Sequence, residues 1–394
     1  MRIAVFSDHF HPELGGIQDS IEALAAALAD RGHRVDFYAP RYSAADYRRG
    51  GVPRNDPDLG PNVRIFRLPS LPVPSSTAQS RLVVPRPWAW MRLLGASRPD
   101  VIHTQTFFGV GLEAMIVGKL LNIPVVGTNH MAIKAFDAYL PVKMKWAVRY
   151  VVWYYNRCDF VTAPSVSVFN DLDLLPQSPR HAVISNPIDI KTFSVITSDR
   201  RCSLKAELGF GDTTLCYAGR LGIEKNIDAI IRALPLVRRH FGSVELVVAG
   251  HGSHLDQLRK LAAELGVDRH VRFLGTLDKS DLAKVFQASE LFVTMSTSET
   301  QGMAMLQAMA CGQPVIGAHS RALPEFIDAT SGLTVPPDDH VALAEGIVTL
   351  LANGEQRRNL GQAAAVHASQ FATGAVADRW ESLYWKLSQH EATV

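Results

Sequence analysis

The chain has 394 residues, of which 47% are hydrophobic and 20% charged, and its formal net charge is +2. This length allows two hydrophobic cores of ordinary domain size, and the small net charge argues against a protein that binds nucleic acid by charge. The charge is uneven, because residues 1–190 hold twenty Lys/Arg against sixteen Asp/Glu and residues 191–394 hold twenty against twenty-two. The N-terminal half is therefore the basic half.

Cysteine usage and the N-terminus bear on the cellular compartment. Cys158, Cys202, Cys216 and Cys311 lie far apart and form no Cys-x-x-Cys pair, which favours reduced thiols over disulfides or a zinc site. The chain opens on a strand-like segment, residues 2–6, without the regions of a signal peptide, and no apolar run is long enough to span a bilayer. These features predict a cytoplasmic protein.

Strand-like runs alternate with helical runs, which predicts α/β domains with parallel sheets. The predicted strands of the first half are residues 2–7, 35–39, 63–68, 101–104, 125–128 and 160–163. Those of the second half are residues 215–218, 244–249, 271–274, 291–294 and 314–316. A stretch without periodicity, residues 187–201, is the predicted linker. We expect one domain over 1–190, a second over 191–373, and a terminal helix within 374–394.

Two glycines, Gly15 and Gly16, stand between the first strand and the next helix. Paired glycines let the backbone approach a ligand and leave helix-terminal N–H groups free, although a plain loop is the alternative. In the same region His9 and His11 could pair on a metal, but no third ligand is evident and a polar loop explains them equally well.

Two basic, aromatic clusters suggest an anionic membrane surface. Between Asp58 and Asp100 no acidic residue occurs, and the span contains Arg64, Arg67, Arg81, Arg86, Trp88, Trp90, Arg92 and Arg98. On a predicted helix over 142–157, one face carries Trp146, Arg149, Tyr150, Trp153 and Arg157, with Lys143 and Lys145 near its start. Each Lys or Arg adds roughly 1 kcal/mol at such a surface. The alternative is an amphipathic helix whose aromatic residues belong to the core.

Two further motifs are interpreted as structural. Residues 109–114 fit the dinucleotide pattern Gly-x-Gly-x-x-Ala, but they follow the fourth strand and lack an acidic residue about 20 positions on. A nicotinamide or flavin cofactor is therefore not expected. Asp171 and Asp173 form an Asp-x-Asp pair like that of metal-dependent transferases, but their helical context indicates a solvated helix face.

Two segments of the second half place charged residues at the ends of strands. Gly-Arg-Leu-Gly-Ile-Glu-Lys-Asn begins at Gly219, and its Arg220 and Lys225 could clamp a diphosphate from two sides. Farther on, Glu299 lies between a predicted strand and the helix that follows Gly302, which is where open α/β sheets bind anionic ligands.

Together these segments resemble the retaining glycosyltransferases of family four, including bacterial lipid glycosyltransferases such as diacylglycerol glucosyltransferases. The order of the motifs agrees, and the departure lies in the Glu-x7-Glu signature, whose second position is Gln307. The resemblance implies the α/β GT-B fold, with two Rossmann-like doubly wound parallel-sheet domains facing a cleft. It implies as well that the terminal helix within 374–394 crosses back to the N-terminal domain. It also implies transfer of a hexose from a nucleotide sugar, such as UDP-glucose or another UDP-hexose, with retained configuration and without a metal or other cofactor.

The resemblance implies roles for residues of the second domain. Arg220 and Lys225 would stabilise the leaving diphosphate, and Glu299 would hold hydroxyls of the transferred sugar. The amides of Gly302 and Met303 would add a partial positive charge at the helix N-terminus. The side chain of Gln307 would point at the ribose, where an amide in place of a carboxylate loses about 1 kcal/mol of charge-assisted hydrogen bonding.

The resemblance also implies roles in the first domain. Gly15 and Gly16 would face the donor diphosphate and the acceptor, and His130, which follows Gly-Thr-Asn at a strand end, would touch the transferred sugar. The domain would bind the acceptor, and the basic helix makes a membrane lipid at the inner face of the cell membrane the expected one. The leaving phosphate can itself take the acceptor's proton. The alternatives are a soluble sugar or metabolite acceptor, an epimerase or phosphorylase of the same fold, or a weakly active or inactive sugar-nucleotide binder.

Overall fold

The computed structural model describes residues 1–13, 15–72, 81–83, 98–131, 144–170 and 180–390. The chain divides into two compact units. Unit 1 is Met1–Pro187 together with Thr373–Val394, and unit 2 is Ile188–Ala372. Each unit contains its own parallel sheet, which confirms the predicted fold class.

In the main sheet of unit 1, the order of the strands changes direction at the strand that comes first in the chain. In chain order the strands of unit 1 are β1 (Arg2–Phe6), β2 (Arg34–Pro40), β3 (Val63–Leu68), β4 (Ser70–Pro72), β5 (Arg81–Val83), β6 (Val101–Thr104), β7 (Val125–Thr128), β8 (Phe160–Ala163) and β9 (His181–Val183). Strands β4 and β5 form an antiparallel hairpin, and the others form one sheet in the order β3-β2-β1-β6-β7-β8-β9. Because β1 lies between β2 and β6, the loops that follow β1 and β6 meet at the switch point where such sheets bind ligands.

Unit 2 has the same arrangement. Its strands are β10 (Thr214–Ala218), β11 (Glu245–Ala249), β12 (Val271–Gly275), β13 (Leu291–Thr294), β14 (Val315–Ala318) and β15 (Gly332–Val335). They pair in the order β12-β11-β10-β13-β14-β15, so the loops after β10 and β13 meet at its switch point. Every residue of β10 and β13 is buried, as expected for parallel strands covered on both faces.

Helices connect these strands. Within the described residues they are α1 (Gly16–Asp30), α2 (Ala44–Gly50), α3 (Gly109–Leu121), α4 (Met144–Tyr155), α5 (Val166–Asn170), α6 (Ser198–Leu208), α7 (Ile227–Arg238), α8 (Leu255–Glu264), α9 (Lys279–Ala288), α10 (Met303–Ala310), α11 (Leu323–Phe326), α12 (His340–Ala352), α13 (Gly354–Ser369) and α14 (Thr373–His390).

The sheet of unit 1 has a core on each face. Successive residues of β1 alternate between them, with Ala4 and Phe6 in the core that includes residues of α3 and α4. Ile3 and Val5 lie in the opposite core, where α1 and α14 pack together. The terminal helix therefore completes unit 1, although it follows unit 2 in the chain.

Some elements differ from the sequence predictions. The short strands β9 and β15 were not predicted, and neither was the hairpin of β4 and β5. Strands β9 and β15 have three and four residues and lie at sheet edges, so they carry too little apolar pattern to be recognised. The predicted linker is too long, because α6 begins at Ser198 and is capped by the side chain of Thr197, which accepts from the backbone N–H of Arg200.

Candidate functional site

The Arg220 segment of unit 2 is a loop fixed by backbone packing. It follows β10, and Leu221 N–H donates to the carbonyl oxygen of His251 at 3.0 Å. A Cβ at Gly250 would overlap the carbonyl oxygen of Gly219, so the loops that follow β10 and β11 need a glycine where they touch. The backbone position of Arg220 is therefore set by the sheet.

The Glu299 segment joins this loop. Thr297 N–H donates to the carbonyl oxygen of Glu224 at 3.1 Å, which ties the loop after β13 to the loop after β10. The Lys225 Nζ then lies 2.6 Å from Glu299 Oε1, and their side chains are 14% and 21% exposed. Arg220 lies 2.7 Å from Glu224 and is half exposed. The structure thus brings together charged residues that are far apart in sequence.

Glu299 is held in its charged form. Burial raises the pKa of this carboxyl, but the charge of Lys225 and hydrogen bonds from Lys225 and Ser296 outweigh it. The pKa of Glu299 therefore lies below its ordinary value, and the ionised carboxylate can only accept hydrogen bonds.

Helix α10 begins beside this pair. Gly302 adopts a φ of 84°, a left-handed conformation that suits glycine, and as the N-cap residue it provides no side-chain cap for the helix that starts at Met303, in the part of the chain that is described. The first-turn N–H groups thus remain available to an anion. Gln307 lies one turn further along and is 8% exposed, and its side-chain amide makes no hydrogen bond to any described residue.

Gly15 and Gly16 lie at the start of α1. Gly15 is the N-cap with an extended backbone, Gly16 is the first helical residue, and no side chain caps this helix. The two glycines therefore form the N-terminus of the helix that follows β1.

His130 is a buried member of a polar network at the ends of β6 and β7. Its Nε2 lies 2.7 Å from Gln105 Oε1, and the Gln105 amide nitrogen contacts the ring of His103 at 3.1 Å. Nδ1 of His103 lies 2.6 Å from the hydroxyl of Tyr384 on α14. Burial, with a smaller contribution from the charge of His9, lowers the pKa of His130 to about 3, so the ring is neutral. Its buried Nδ1 has no hydrogen-bond partner among the described residues.

A second cluster of unit 1, which the sequence interpretation missed, surrounds Glu13. Glu13 Oε2 lies 2.8 Å from His9 Nδ1 and accepts from the Gln18 amide at 3.1 Å, while its Oε1 accepts from the Tyr42 hydroxyl at 2.9 Å. The sequence explained His9 as part of a polar loop. The available signal was the spacing of His9 and Glu13 directly after β1, at a switch point.

The exposed face of α4 carries the predicted basic and aromatic residues. Trp146 and Trp153 are 64% and 40% exposed, and the guanidinium carbons of Arg149 and Arg157 lie 5.4 Å and 4.2 Å from their respective ring centroids. Tyr150 instead donates to the carbonyl oxygen of Phe107. The alternative that places the tryptophans in the core is wrong for these two. Lys143 lies outside the described residues, as does the side chain of Lys145.

Of the four described arginines in the acid-free span, Arg98 is exposed and the other three are neutralised by carboxylates. Three of its arginines are paired with carboxylates from other segments: Arg64 with Asp36 at 2.6 Å, Arg67 with Asp56 at 2.6 Å, and Arg81 with Asp46 at 2.8 Å. Arg86, Trp88, Trp90 and Arg92 lie outside the described residues. The prediction failed for the three paired arginines because their partners lie outside the acid-free span, 11, 28 and 35 residues away along the chain.

One of the two remaining motifs is explained by packing, and the other lies outside the described residues. A Cβ at Gly111 would overlap the carbonyl oxygen of Thr106, and Val110 N–H donates to the Asp8 carboxylate at 3.0 Å, so packing and an internal cap explain residues 109–114. Asp171 and Asp173 lie outside the described residues. Across the described ranges no cluster of His, Cys, Asp and Glu could hold a metal, and no helix combines the length and apolarity that a bilayer crossing requires.

Comparison with known proteins identifies the family. Residues 203–367 match the family described as glycosyl transferases group 1, and residues 14–192 match glycosyltransferase family 4. The alpha-monoglucosyldiacylglycerol synthase of Streptococcus pneumoniae is 30% identical over 331 residues, which cover 81% of this chain and 71% of that protein. The synthase of the same name from Acholeplasma laidlawii is 23% identical over 401 residues, covering 98% and 97%.

A solved structure agrees at the level of the fold. Anabaena Alr3699/HepE in complex with UDP and glucose superposes with a TM-score of 0.76 at 19% identity, over 98% of this chain and 100% of that one. With both halves matched, and with the paired Arg220 and Glu299 segments at the switch point of unit 2, the chain belongs to the group 1, family 4 glycosyltransferases of the GT-B fold.

Proposed function

We propose that this glycosyltransferase moves a hexose from a UDP-hexose, with glucose as the first candidate, to a hydroxyl of a membrane lipid, with retention and without a metal. The observation that carries the proposal is the Lys225–Glu299 contact beside the uncapped N-terminus of α10. A cation, an ionised carboxylate and the N-terminus of a helix lie side by side there, which supports the binding of a phosphorylated sugar.

The donor would bind to unit 2. Arg220 and Lys225 would oppose the charge that grows on the departing diphosphate, and the amides of Gly302 and Met303 would meet it from the helix side. Lys225 would exchange part of its contact with Glu299 for a phosphate oxygen, which frees the carboxylate to accept from sugar hydroxyls. The structural neighbour that holds UDP and glucose supports this choice of donor.

The resemblance implies further roles for residues of unit 1 and for Gln307 of unit 2. The free amides at Gly15 and Gly16 would face the diphosphate and the acceptor, and the unpartnered Nδ1 of His130 would meet a hydroxyl of the sugar. Gln307 would meet the ribose with an amide that is not committed to another residue.

A lipid acceptor is supported by two independent observations. Two relatives carry names that describe a synthase of monoglucosyldiacylglycerol. The exposed face of α4 combines Trp146, Trp153, Arg149 and Arg157, a composition suited to an anionic interface. We therefore propose peripheral association with the inner face of the cell membrane.

Transfer from labelled UDP-sugars tests the proposal. The enzyme is incubated with UDP-glucose, UDP-galactose or GDP-mannose, and with diacylglycerol in vesicles or a panel of soluble sugars. We expect a glucolipid whose anomeric configuration, read by NMR, equals that of the donor, with undiminished yield in EDTA. Transfer to a soluble sugar alone would overturn the lipid assignment, and binding of UDP without transfer to any acceptor would indicate a sugar-nucleotide binder.

A further inference from the structure

We propose that His9 is a catalytic residue that takes the proton from the acceptor hydroxyl, and that Glu13 is the positioning residue that makes it a base. The inference rests on the proposed function, because the acceptor hydroxyl is the substrate of that reaction. It assigns the proton to the protein, whereas the family resemblance leaves it to the leaving phosphate.

The direction of the hydrogen bond between the two side chains follows from the other bonds of Glu13. Both of its oxygens act as acceptors, Oε2 for the Gln18 amide and Oε1 for the Tyr42 hydroxyl. The 2.8 Å contact with His9 Nδ1 therefore has its hydrogen on the ring nitrogen. In a neutral imidazole the second nitrogen, Nε2, then carries only a lone pair.

The Nε2 atom of His9, which carries the lone pair, is accessible. The side chain of His9 is 26% exposed, and Nε2 makes no hydrogen bond to any described residue. Glu13, in contrast, is buried and fixed by three donors, so its position does not depend on His9 alone. An imidazole that is oriented by a buried carboxylate and open at its other nitrogen is the arrangement used to deprotonate hydroxyl groups.

The location also suits this role. His9 follows β1 at the switch point of unit 1, and Glu13 lies just before Gly15 and Gly16. The charged and titratable groups around His9 are Glu13, Asp8 and His130. Burial lowers the pKa of His9, but the hydrogen bond and charge of Glu13 and the charge of Asp8 outweigh it, so the pKa is raised above 6.5.

The step balances as follows. The O–H bond of the acceptor breaks, its proton moves to His9 Nε2, and its oxygen forms a bond to the anomeric carbon. The bond from that carbon to the phosphate oxygen breaks, and its electron pair leaves with UDP. The imidazolium is stabilised by Glu13 until it releases the proton to solvent.

Kinetics of the whole enzyme test the assignment. We expect His9→Gln to lower kcat by roughly 10²-fold or more and to abolish the acid limb of the pH profile, with UDP affinity unchanged in calorimetric titration. Glu13→Gln should move that limb to lower pH, because the neutral amide no longer stabilises the imidazolium. His11→Gln, two residues away and without a contact to Glu13, is the matched control and should leave the profile as in the parent.

A spectroscopic measurement separates this inference from the proposed function. A ¹⁵N NMR titration of His9 needs no substrate, and we expect the Nδ1-protonated tautomer at high pH and a lower pKa in Glu13→Gln. An unprotonated Nδ1 of His9 at high pH would contradict the proposed roles of His9 and Glu13. An active His9→Gln enzyme with an unchanged pH profile would indicate that the leaving phosphate, and not His9, takes the proton from the acceptor. An inactive parent enzyme that still shows the expected tautomer would point to a wrong substrate instead.

Discussion

Two cationic side chains of unit 2, Arg220 and Lys225, are proposed to stabilise the leaving diphosphate. Arg220 lies 2.7 Å from Glu224 and Lys225 lies 2.6 Å from Glu299. Both pairs lie at the edge of the sheet where the loops after β10 and β13 meet. We expect Arg220→Ala or Lys225→Ala to lower turnover by around 10²-fold or more, about 3 kcal/mol of lost charge stabilisation. Steady-state kinetics measure the effect, and Arg239→Ala, an exposed cation of the same unit, is the control. Near-normal turnover in both variants would remove the pair from the site.

Gln307 is the residue at which this chain departs from the family signature. Because its amide is uncommitted, Gln307→Glu should tighten UDP binding, since a carboxylate accepts from both ribose hydroxyls, and the gain should be about 1 kcal/mol. Calorimetric titration with UDP measures it, and Gln307→Ala should weaken binding. Unchanged or weaker binding in the glutamate variant would show that the pocket is built around an amide.

At the scale of elements, the terminal helix α14 belongs to unit 1, although unit 2 lies between it and the rest of unit 1 in the sequence. Trp380 is 3% exposed in a core with α1, and Trp385 on the same helix is 45% exposed. We expect Trp380→Ala to lower the free energy of unfolding by about 3–5 kcal/mol and Trp385→Ala by under about 1 kcal/mol. Urea denaturation measures both. Equal effects would mean that α14 is not part of the core of unit 1.

Helix α4 is the element on which the membrane proposal depends. Replacing Arg149 and Arg157 with Gln removes two exposed charges and should weaken binding to anionic vesicles roughly 30-fold at low salt. Vesicle flotation measures the loss, which should shrink as salt is added, while UDP affinity stays unchanged. The matched control replaces Arg239 and Lys260 of unit 2, which are exposed and remove the same charge. Equal loss in both variants would indicate general charge attraction without a role for α4.

At the scale of the whole molecule, the two units should respond differently to the donor. A ligand that binds only the folded state stabilises the part that it contacts. We expect UDP to slow hydrogen exchange in the loops after β10 and β13 of unit 2, with the cores of unit 1 unaffected. Mass spectrometry of peptides from both units provides the measurement and its internal control. Protection confined to unit 1 would contradict the proposed donor site.

The sequence by itself determined the elements and the family. Buried parallel strands are apolar throughout, so most of them were recognised. The segments around Arg220 and Glu299 are each contiguous in sequence, so their resemblance to glycosyltransferase motifs was visible without the structure. The fold class followed from the alternation of strands and helices. The short edge strands β9 and β15 were not predicted, because three or four residues carry almost no periodic signal.

Only the tertiary structure decided which charged and polar groups meet. Arg64, Arg67 and Arg81 formed a basic span in sequence and are neutralised by acids from other segments. Tyr384 reaches His103 across 281 positions of the chain. The reason is physical: periodicity and spacing act over a few residues, whereas pairing, burial and the direction of a hydrogen bond depend on which loops the sheet order brings to the same edge.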